Sequence, residues 1–389
     1  MLFRSDLTAG FWQQVLDKES RPYTAFTVPG KGQFQWVTTP MGLLGAPASF
    51  QRLMETVVRG ISNTQVYIDD VLCHTTSHET MLDTLDQVFE RLDLHGVKIN
   101  LPKCEFGGDD VPYLGFRLTK DGVKPGSDKL KAVRDTKPCT SVAEVRQFLG
   151  LCNFFRTHVK NFAQITAPLT KLTRKDCEWK NGPMPPDALN AFKELQTILV
   201  SEPVMAYPRN DRPYILITDA SLGDCNKPGG FGAILAQQDD EGRFRAVSYA
   251  SRKLQAHENY TPYLLEMDAA DWAMKHFETY LIGKHFVLMT DHKPLETLGT
   301  VHTRTLNRLQ LAMFHFDFEI VYKKGSEMPD DYLSRNHVDA IALDDLTIRQ
   351  EQERDPEYLA LKNYLLHGTQ HPDPSKHKLM AQFADTCFV

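Results

Sequence analysis

The hydrophobic pattern of the chain changes character twice. Up to about Leu118, short apolar runs rich in β-branched and aromatic residues, such as 65–72 and 113–118, are separated by turn residues and indicate strands of an α/β region. After Ser141 the apolar residues recur at helical spacing, and Glu144, three positions on, completes the pattern of a helix N-terminus. The sequence therefore predicts a strand-rich first part and a helical middle.

A third pattern begins near Val204. A loop is expected over 175–186 and a helix over 187–199 just before it. Beyond that point, strands are predicted at 214–218, 232–236, 246–250, 286–289 and 318–322, with a helix at about 262–281 after the third strand. This order is typical of a mixed α/β domain. After Arg335 the chain is polar and acidic, which predicts a linker.

Composition narrows the class of protein. With 389 residues, 42% of them hydrophobic, the chain can form two or three domains, and no apolar run approaches the roughly 18 residues of a membrane span, so no membrane partner is expected. The 7 cysteines are scattered without a C-x-x-C pair, which argues against disulfides and zinc and predicts a reduced, intracellular protein. A net charge of −6 disfavours nucleic-acid binding unless acidic clusters hold metal ions.

The sharpest chemical signal is Tyr67-Ile68-Asp69-Asp70, in which two acids stand at a predicted turn between apolar strands. Asp-Asp alone is a common surface turn. Upstream, however, Asp6 ends a short predicted strand. Carboxylates are the ligands that Mg²⁺ prefers, so these acids predict a metal site.

Several motifs in order resemble one family. The series S-D-L, F, G-L-x-x-A-P-x-S-F-Q, Y-I-D-D, K-C and Y-L-G over residues 5–115 resembles the palm of a gypsy-type long-terminal-repeat retrotransposon reverse transcriptase. The resemblance implies that Asp6, Asp69 and Asp70 are the polymerase triad and bind two Mg²⁺, with Mn²⁺ as a substitute. In that mechanism one ion activates the primer 3′-hydroxyl and the other neutralises the triphosphate and the leaving pyrophosphate.

The same resemblance implies contacts with substrate. Phe11 would close against the sugar 2′ position, although a core aromatic is an equally good interpretation of this residue. Gln51 would lie near the template and nucleotide, Lys103 would donate a proton to pyrophosphate, and the turn beginning at Tyr113 would grip the primer. The implied substrate contacts are Phe11, Gln51, Tyr67, Lys103, Tyr113 and Gly115.

A second set of acids lies in the third part of the chain. Asp219 and Asp291 each end an apolar strand, and Glu266 lies among apolar residues of the predicted helix, an unfavourable place for an acid outside a site. Asp330 and Asp331 stand at a predicted helix N-terminus, where Asp330 is a candidate N-cap.

This order of acids resembles the ribonuclease H domain of the same retroelements, with Asp330 in place of the usual Ala. The resemblance implies that Asp219, Glu266, Asp291 and Asp331 hold two Mg²⁺ and cut the RNA strand of a hybrid. Asp268 and Asp271 fall on other faces of the helix that contains Glu266 and are not assigned to the site. No histidine stands in the stretch just before the last acid, where related enzymes have one.

Basic residues of the helical middle resemble those of a retroelement thumb and are candidate phosphate contacts, the alternative being a solvated polar face. They are Arg146, Arg156, His158, Lys160, Lys171, Arg174 and Lys175. Near the end of the third part, Arg304, Arg308, Lys323 and Lys324 are similar candidates for the phosphates of a hybrid.

The fold class expected is therefore α/β (α+β), with a palm at 1–118, a mostly helical thumb or connection at 119–203, a ribonuclease H domain at 204–336 and a linker towards integrase at 337–389. The expected function is RNA-directed DNA polymerisation with ribonuclease H activity. Implied partners are an RNA/DNA hybrid, template-primer, dNTPs and a second chain in a homodimer or asymmetric dimer. The expected location is the cytoplasm, in virus-like particles, with a nuclear stage.

Two features weaken the polymerase interpretation. The family places basic fingers before the aspartate that Asp6 matches, and Asp6 lies close to the start of this chain, while Gly45 replaces a usual Asn. We therefore expect weak or no polymerisation by the chain alone. No zinc motif of an integrase follows the third part. The alternatives are a ribonuclease H only, or a non-catalytic structural, nucleic-acid-binding subunit.

Overall fold

The computed structural model describes residues 1–223, 228–255, 261–291, 311–313 and 315–323. Contacts divide the chain into two units, Met1–Ser334 and Arg335–Val389, and every described residue belongs to the first. Among the described residues, no helix combines the length and the apolar character that crossing a membrane requires.

The first part is built on a four-stranded sheet in the order β4-β5-β1-β6, with β1 antiparallel to both neighbours. Small sheets of two strands (β2-β3) and three strands (β7-β8-β9) flank it. The elements are β1 (Leu2–Asp6), β2 (Phe26–Val28), β3 (Gly32–Phe34), α1 (Ala46–Val57), β4 (Thr64–Tyr67), β5 (Asp70–His74), α2 (His78–Leu94), β6 (Glu105–Gly108), β7 (Asp110–Tyr113), β8 (Phe116–Thr119) and β9 (Gly122–Pro125).

Helices α1 and α2 pack on this sheet through one apolar core. Its fully buried members include Phe3 from β1, Phe50 from α1 and Val88 from α2. The strand-like pattern of this region did not predict α2, although its N-cap is regular: the Oγ of Ser77 accepts the N–H of Thr80 at 3.2 Å. The first part is thus more helical than its apolar pattern indicated.

The middle is helical, as predicted, with α3 (Ser127–Asp135), α4 (Val142–Asn153), α5 (Phe162–Ile165), α6 (Ala167–Leu172) and α7 (Pro186–Val200). The start of α4 is confirmed, since the Oγ of Ser141 accepts the N–H of Glu144 at 3.3 Å. The Glu144 carboxylate accepts the N–H of Thr140 at 2.7 Å, and this bond holds the pKa of Glu144 below its usual value. Phe148 and Phe192 pack against each other in the core between α4 and α7.

The third part contains a five-stranded sheet in the order β12-β11-β10-β13-β14, with β13 parallel to both β10 and β14. Its elements are β10 (Tyr214–Gly223), β11 (Pro228–Gln238), β12 (Phe244–Lys253), α8 (Pro262–His276), α9 (Glu278–Leu281), β13 (Phe286–Thr290) and β14 (Phe318–Tyr322). All five predicted strands are confirmed. The single helix expected at about 262–281 is instead two helices that meet at Phe277.

Backbone pairing joins the three-stranded sheet β7-β8-β9 to the start of the third part. The N–H of Val123 in β9 donates to the carbonyl of Met205 at 2.7 Å, and the N–H of Met205 donates back at 2.9 Å. Gly122 has φ +140°, and a Cβ there would overlap the carbonyl of Met205. Only glycine therefore fits this crossing without a shift of the backbone. The hydroxyl of Tyr207 also donates to the carbonyl of Thr119 at 3.0 Å. We call these contacts the seam.

Candidate active sites

The turn that carries Asp69 and Asp70 is fixed by a side chain from α1. Ile68, at the turn, has φ +57°, in the left-handed region that β-branched residues rarely adopt. Its N–H donates to the Oε1 of Gln51 at 2.6 Å, and the Nε2 of Gln51 donates to the carbonyl of Val66 at 3.2 Å. Gln51 thus stabilises the turn directly, a role that its motif alone did not reveal.

The register of β1 brings the third acid to this turn. Asp6 is the Cα partner of Asp70, and the N–H of Leu7 donates to the carbonyl of Asp69 at 3.0 Å. Burial, opposed by a hydrogen bond to its own backbone N–H, raises the pKa of Asp69, and the charges of Asp70 and Asp6 raise it further. The structure therefore brings the predicted triad together.

Two basic side chains are paired with this triad. The Nη2 of Arg4 lies 3.0 Å from the Oδ1 of Asp70, and the Nζ of Lys103 lies 2.8 Å from the Oδ2 of Asp6. The bond to Asp6 raises the pKa of Lys103. Within the described ranges, no group of three or more His, Cys, Asp or Glu side chains is placed to hold a metal ion. Full coordination by Asp6 and Asp70 would require these ion pairs to open.

The predicted aromatic contacts border the same acids. Phe11 packs edge-on against Phe50, with ring centroids 5.7 Å apart, so it belongs to the core. A Cβ on the preceding Gly10 would lie 3.4 Å from the Cβ of Asp69, so Phe11 is also next to the triad. Both interpretations of Phe11 are compatible with this position. Tyr67 is 53% exposed and accessible to a ligand.

The predicted primer-grip turn is a tight hairpin held by the helical middle. Leu114 and Gly115 have φ +50° and +83°, so the run 113–118, expected to be strand-like, turns at its second and third residues. The N–H of Gly126 donates to the carbonyl of Gly115 at 3.1 Å, and a Cβ on Gly126 would overlap that carbonyl. Burial raises the pKa of Tyr113, and the charge of Asp70 raises it further, which places the start of this hairpin beside the triad.

The second site forms where the parallel pairing of two strands ends. Ile217 of β10 and Met289 of β13 are the last residues paired between these strands, and Asp219 and Asp291 each lie two positions further on. Asp291 follows the last residue of β13, whereas β10 continues to Gly223 and Asp219 still pairs with Gly232 of β11. Both acids are exposed. The predicted neighbourhood of these two carboxylates therefore has a direct structural basis.

Glu266 approaches them from α8. It is only 8% exposed, and its Oε2 has no hydrogen-bond partner among the described residues. Burial raises the pKa of Glu266 to about 8, and the charges of Asp219 and Asp291 contribute, whereas a hydrogen bond from the backbone N–H of Ala220 lowers it. A buried carboxylate with an unpaired oxygen and two acidic neighbours is a favourable environment for a divalent cation.

The other acids of α8 point elsewhere, as predicted. Asp271 pairs with Lys275 at 2.6 Å, and Asp268 lies 3.7 Å from Arg252. Asp331, the fourth member of the predicted set, lies outside the described residues, as do Arg304, Arg308 and Lys324.

Two sequence families match the chain. The family described as reverse transcriptase (RNA-dependent DNA polymerase) matches residues 1–118, and the RNase H-like domain found in reverse transcriptase matches residues 184–288.

The Pol polyprotein of transposon 297 from Drosophila melanogaster is 33% identical over 327 residues, which are 83% of this chain and 30% of that protein. That of transposon gypsy from the same organism is 31% identical over 353 residues, 86% of this chain and 33% of that protein. The chain thus contains a reverse transcriptase region and an RNase H-like region, and over most of its length it is similar to the Pol polyproteins of gypsy-type retrotransposons.

Relatives extend to fungi, and the fold extends to viruses. The transposon Tf2-3 polyprotein of Schizosaccharomyces pombe is 32% identical over 332 residues, 82% of this chain and 24% of that protein. The chain thus spans about a third or less of these retrotransposon polyproteins. A foamy viral protease-reverse transcriptase in complex with double-stranded DNA has the same fold, with a TM-score of 0.72, 23% identity and coverage of 83% of this chain and 56% of that one. The same type of protein in complex with an RNA/DNA hybrid gives a TM-score of 0.69 at 22% identity, over 83% of this chain and 44% of that one.

The basic residues of the helical middle lie in different environments. They were predicted to contact phosphate as part of a thumb. His158 is 4% exposed and stacks on Phe116 with ring centroids 5.4 Å apart, so its prediction as a phosphate contact is wrong. The run of basic residues around it could not reveal that its ring fills an aromatic cluster. Arg146 donates to the carbonyl of Thr173 at 3.1 Å. Arg156 and Arg174 line a cavity beside β12.

Proposed function

We propose that the chain carries an RNA-directed DNA polymerase site at Asp6, Asp69 and Asp70 and a ribonuclease H site at Asp219, Glu266, Asp291 and Asp331. The substrates would be a template-primer with dNTPs and an RNA/DNA hybrid. The similar foamy viral proteins were solved with double-stranded DNA and with an RNA/DNA hybrid, which supports nucleic acid as the partner. Dimerisation and the expected domain boundaries remain predictions.

The observation that carries the proposal is the state of Glu266. Its unpaired oxygen and its pKa of about 8 describe a carboxyl that holds its proton near neutral pH for lack of a counter-charge. Asp219, Glu266, Asp291 and Asp331 would hold Mg²⁺, which supplies a nucleophile from water and stabilises the leaving 3′-oxygen. Glu266, buried in α8, would hold the ion from the protein interior, while the exposed Asp219 and Asp291 would remain accessible to substrate.

The carboxylates of the polymerase site differ from Glu266 because two of them already have basic partners. Asp6 pairs with Lys103 and Asp70 pairs with Arg4, so both ion pairs would have to open before these carboxylates could hold Mg²⁺. Lys103, hydrogen-bonded at Asp6, would be released next to the pyrophosphate as a proton donor. This difference favours a second candidate function, hybrid cleavage without polymerisation, which the same assays resolve.

The test uses paired active-site variants of the full chain. Asp219→Asn is expected to abolish Mg²⁺-dependent cleavage of the labelled RNA strand in a hybrid and to leave primer extension unchanged. Asp69→Asn is expected to do the reverse. Asp268→Asn, on the same helix as Glu266 but outside the site, is the matched control and should keep both activities.

Hybrid binding without cleavage by the wild type in Mg²⁺ or Mn²⁺, or full cleavage by Asp219→Asn, would contradict the ribonuclease H assignment. Cleavage together with no primer extension by the wild type would establish the second candidate instead.

A further inference from the structure

A cavity of about 530 Å³ opens between the helical middle and the edge strand of the third part. One wall comes from α4, α5 and α6, and the other from β12 and the end of α8. The walls are joined by the N–H of Ala163, which donates to the Oγ of Ser251 at 2.9 Å. The volume falls within the range of small-molecule sites. Among the described acids of the two candidate active sites, none lines it.

The titratable side chains that line this cavity are predominantly basic. They include Arg156, Arg174, Lys253 and His276, and no Asp or Glu is among the described lining residues. Within the part of the chain that the structure describes, no ion pair forms to any of these four. This absence is unusual in a chain with more acids than bases, in which 50 Asp and Glu face 44 Lys and Arg.

The four basic groups lie as two neighbouring pairs, Lys253 with Arg174 and His276 with Arg156. Burial lowers the pKa of Lys253, and the charge of Arg174 lowers it further. Removal from water likewise lowers the pKa of His276, and the charge of Arg156 adds to this effect. Like charges gathered in a partly desolvated cleft are unfavourable unless an anion lies between them. The cavity is therefore prepared for a negative ligand.

We propose that this cavity binds a phosphate group. Two guanidinium groups and an ammonium suit phosphate because a guanidinium can donate two parallel hydrogen bonds to its oxygens. The phosphate can come from a nucleic-acid backbone or from a free phosphate or pyrophosphate. The backbone source rests on the proposed function, whereas the free source does not.

The test measures binding and not catalysis, so its result can be interpreted even if the chain lacks one or both of the proposed activities. Lys253→Gln and, separately, Arg174→Gln are compared with the wild-type full chain in EDTA. Lys193→Gln on α7 is the matched control, because Lys193 is exposed and outside the cavity. Affinity for a fluorescent RNA/DNA hybrid is measured by anisotropy over a range of salt concentrations. Binding of inorganic phosphate and of pyrophosphate is measured by calorimetry and thermal shift.

If a backbone phosphate occupies the cavity, each cavity variant should reduce the slope of log K against log salt by about 1. Each phosphate contact contributes about 0.9 to the slope of log K against log salt, and this contribution vanishes at 1 M salt. Loss of one contact should therefore weaken hybrid binding about eightfold at 0.1 M salt. If a free anion occupies the cavity, the salt dependence of hybrid binding should be the same in the cavity variants as in Lys193→Gln. The cavity variants should then lose the calorimetric and thermal-shift signals of phosphate or pyrophosphate binding. Cavity variants that match Lys193→Gln in hybrid slope and in both anion responses would overturn the proposal. Arg174 is exposed, so its variant keeps the test valid if Lys253→Gln misfolds.

Discussion

Replacement of Glu266 by Gln should make the third part of the chain more stable at alkaline pH, although it removes a proposed catalytic residue. In the unfolded chain this carboxyl has its ordinary pKa of 4.5, whereas burial in the fold raises its pKa to about 8. Below pH 4.5 both states are protonated and Glu266 carries no penalty. As the pH rises to 8, folding opposes ionisation, and the penalty grows to about 4 kcal/mol. A glutamine side chain cannot ionise and has no such penalty, so the gain appears over this window.

The assay is urea denaturation in EDTA at pH 5 and pH 8, read by pulse-labelled hydrogen exchange on peptides from α8, because the whole chain need not unfold in one step. We expect a small difference between wild type and Glu266→Gln at pH 5 and a gain of about 4 kcal/mol for the variant at pH 8. Adding Mg²⁺ at pH 8 should stabilise the wild type more than the variant, since the cation supplies the missing counter-charge.

Asp271→Asn is the matched control on the same helix. Asp271 is also buried, but it has a basic partner, Lys275, at 2.6 Å. Its neutralisation removes an attraction and should lower stability at pH 8, opposite in sign to Glu266→Gln. If Glu266→Gln is as stable as the wild type at pH 8, or less stable, then burial of an ionising Glu266 does not destabilise the fold and the reasoning is refuted.

Substitutions at four further sites test local geometry. Gly126→Ala should lower the free energy of unfolding by about 1–3 kcal/mol in urea denaturation, because its Cβ overlaps a carbonyl, whereas Gly150→Ala, with open space around the new Cβ, should raise it by about 0.5–1 kcal/mol. Ser141→Ala removes an N-cap and should cost about 1 kcal/mol by the same measurement, with restoration by Ser141→Asp. Gln51→Leu leaves the N–H of Ile68 without its acceptor and should reduce primer extension more than hybrid cleavage; equal losses would contradict its role at the turn.

The features that the sequence predicts most securely are those encoded locally. An apolar run followed by an acid predicts that the acid is exposed beside a buried strand, and Asp219 and Asp291 are both exposed two positions beyond the last parallel pair of β10 and β13. Helix α2 was missed although Met81, Leu85 and Val88 recur at helical spacing, because the surrounding strand-like segments dominated the interpretation. The missed helix shows that a pattern averaged over a region hides an element with its own period.

Long-range pairs could not be predicted in the same way. Lys103 and Asp6 are separated by 97 positions, and their contact depends on how β1 and the segment before β6 come together. Arg4 faces Asp70 because β1 and β5 pair in one particular register, and a shift of one residue would point it to the other side of the sheet. No local pattern carries that register, so the electrostatic partners of the triad appear only in the fold.

The seam has a practical consequence for dissecting the chain. A cut at the predicted boundary between residues 203 and 204 would leave the N–H and carbonyl of Val123 on one fragment and those of Met205 on the other, each exposed to water. Gly122 would then be an unprotected, flexible corner at the cut surface. Limited proteolysis should accordingly release a nicked complex that stays associated on gel filtration, and the two halves should need co-expression to fold well.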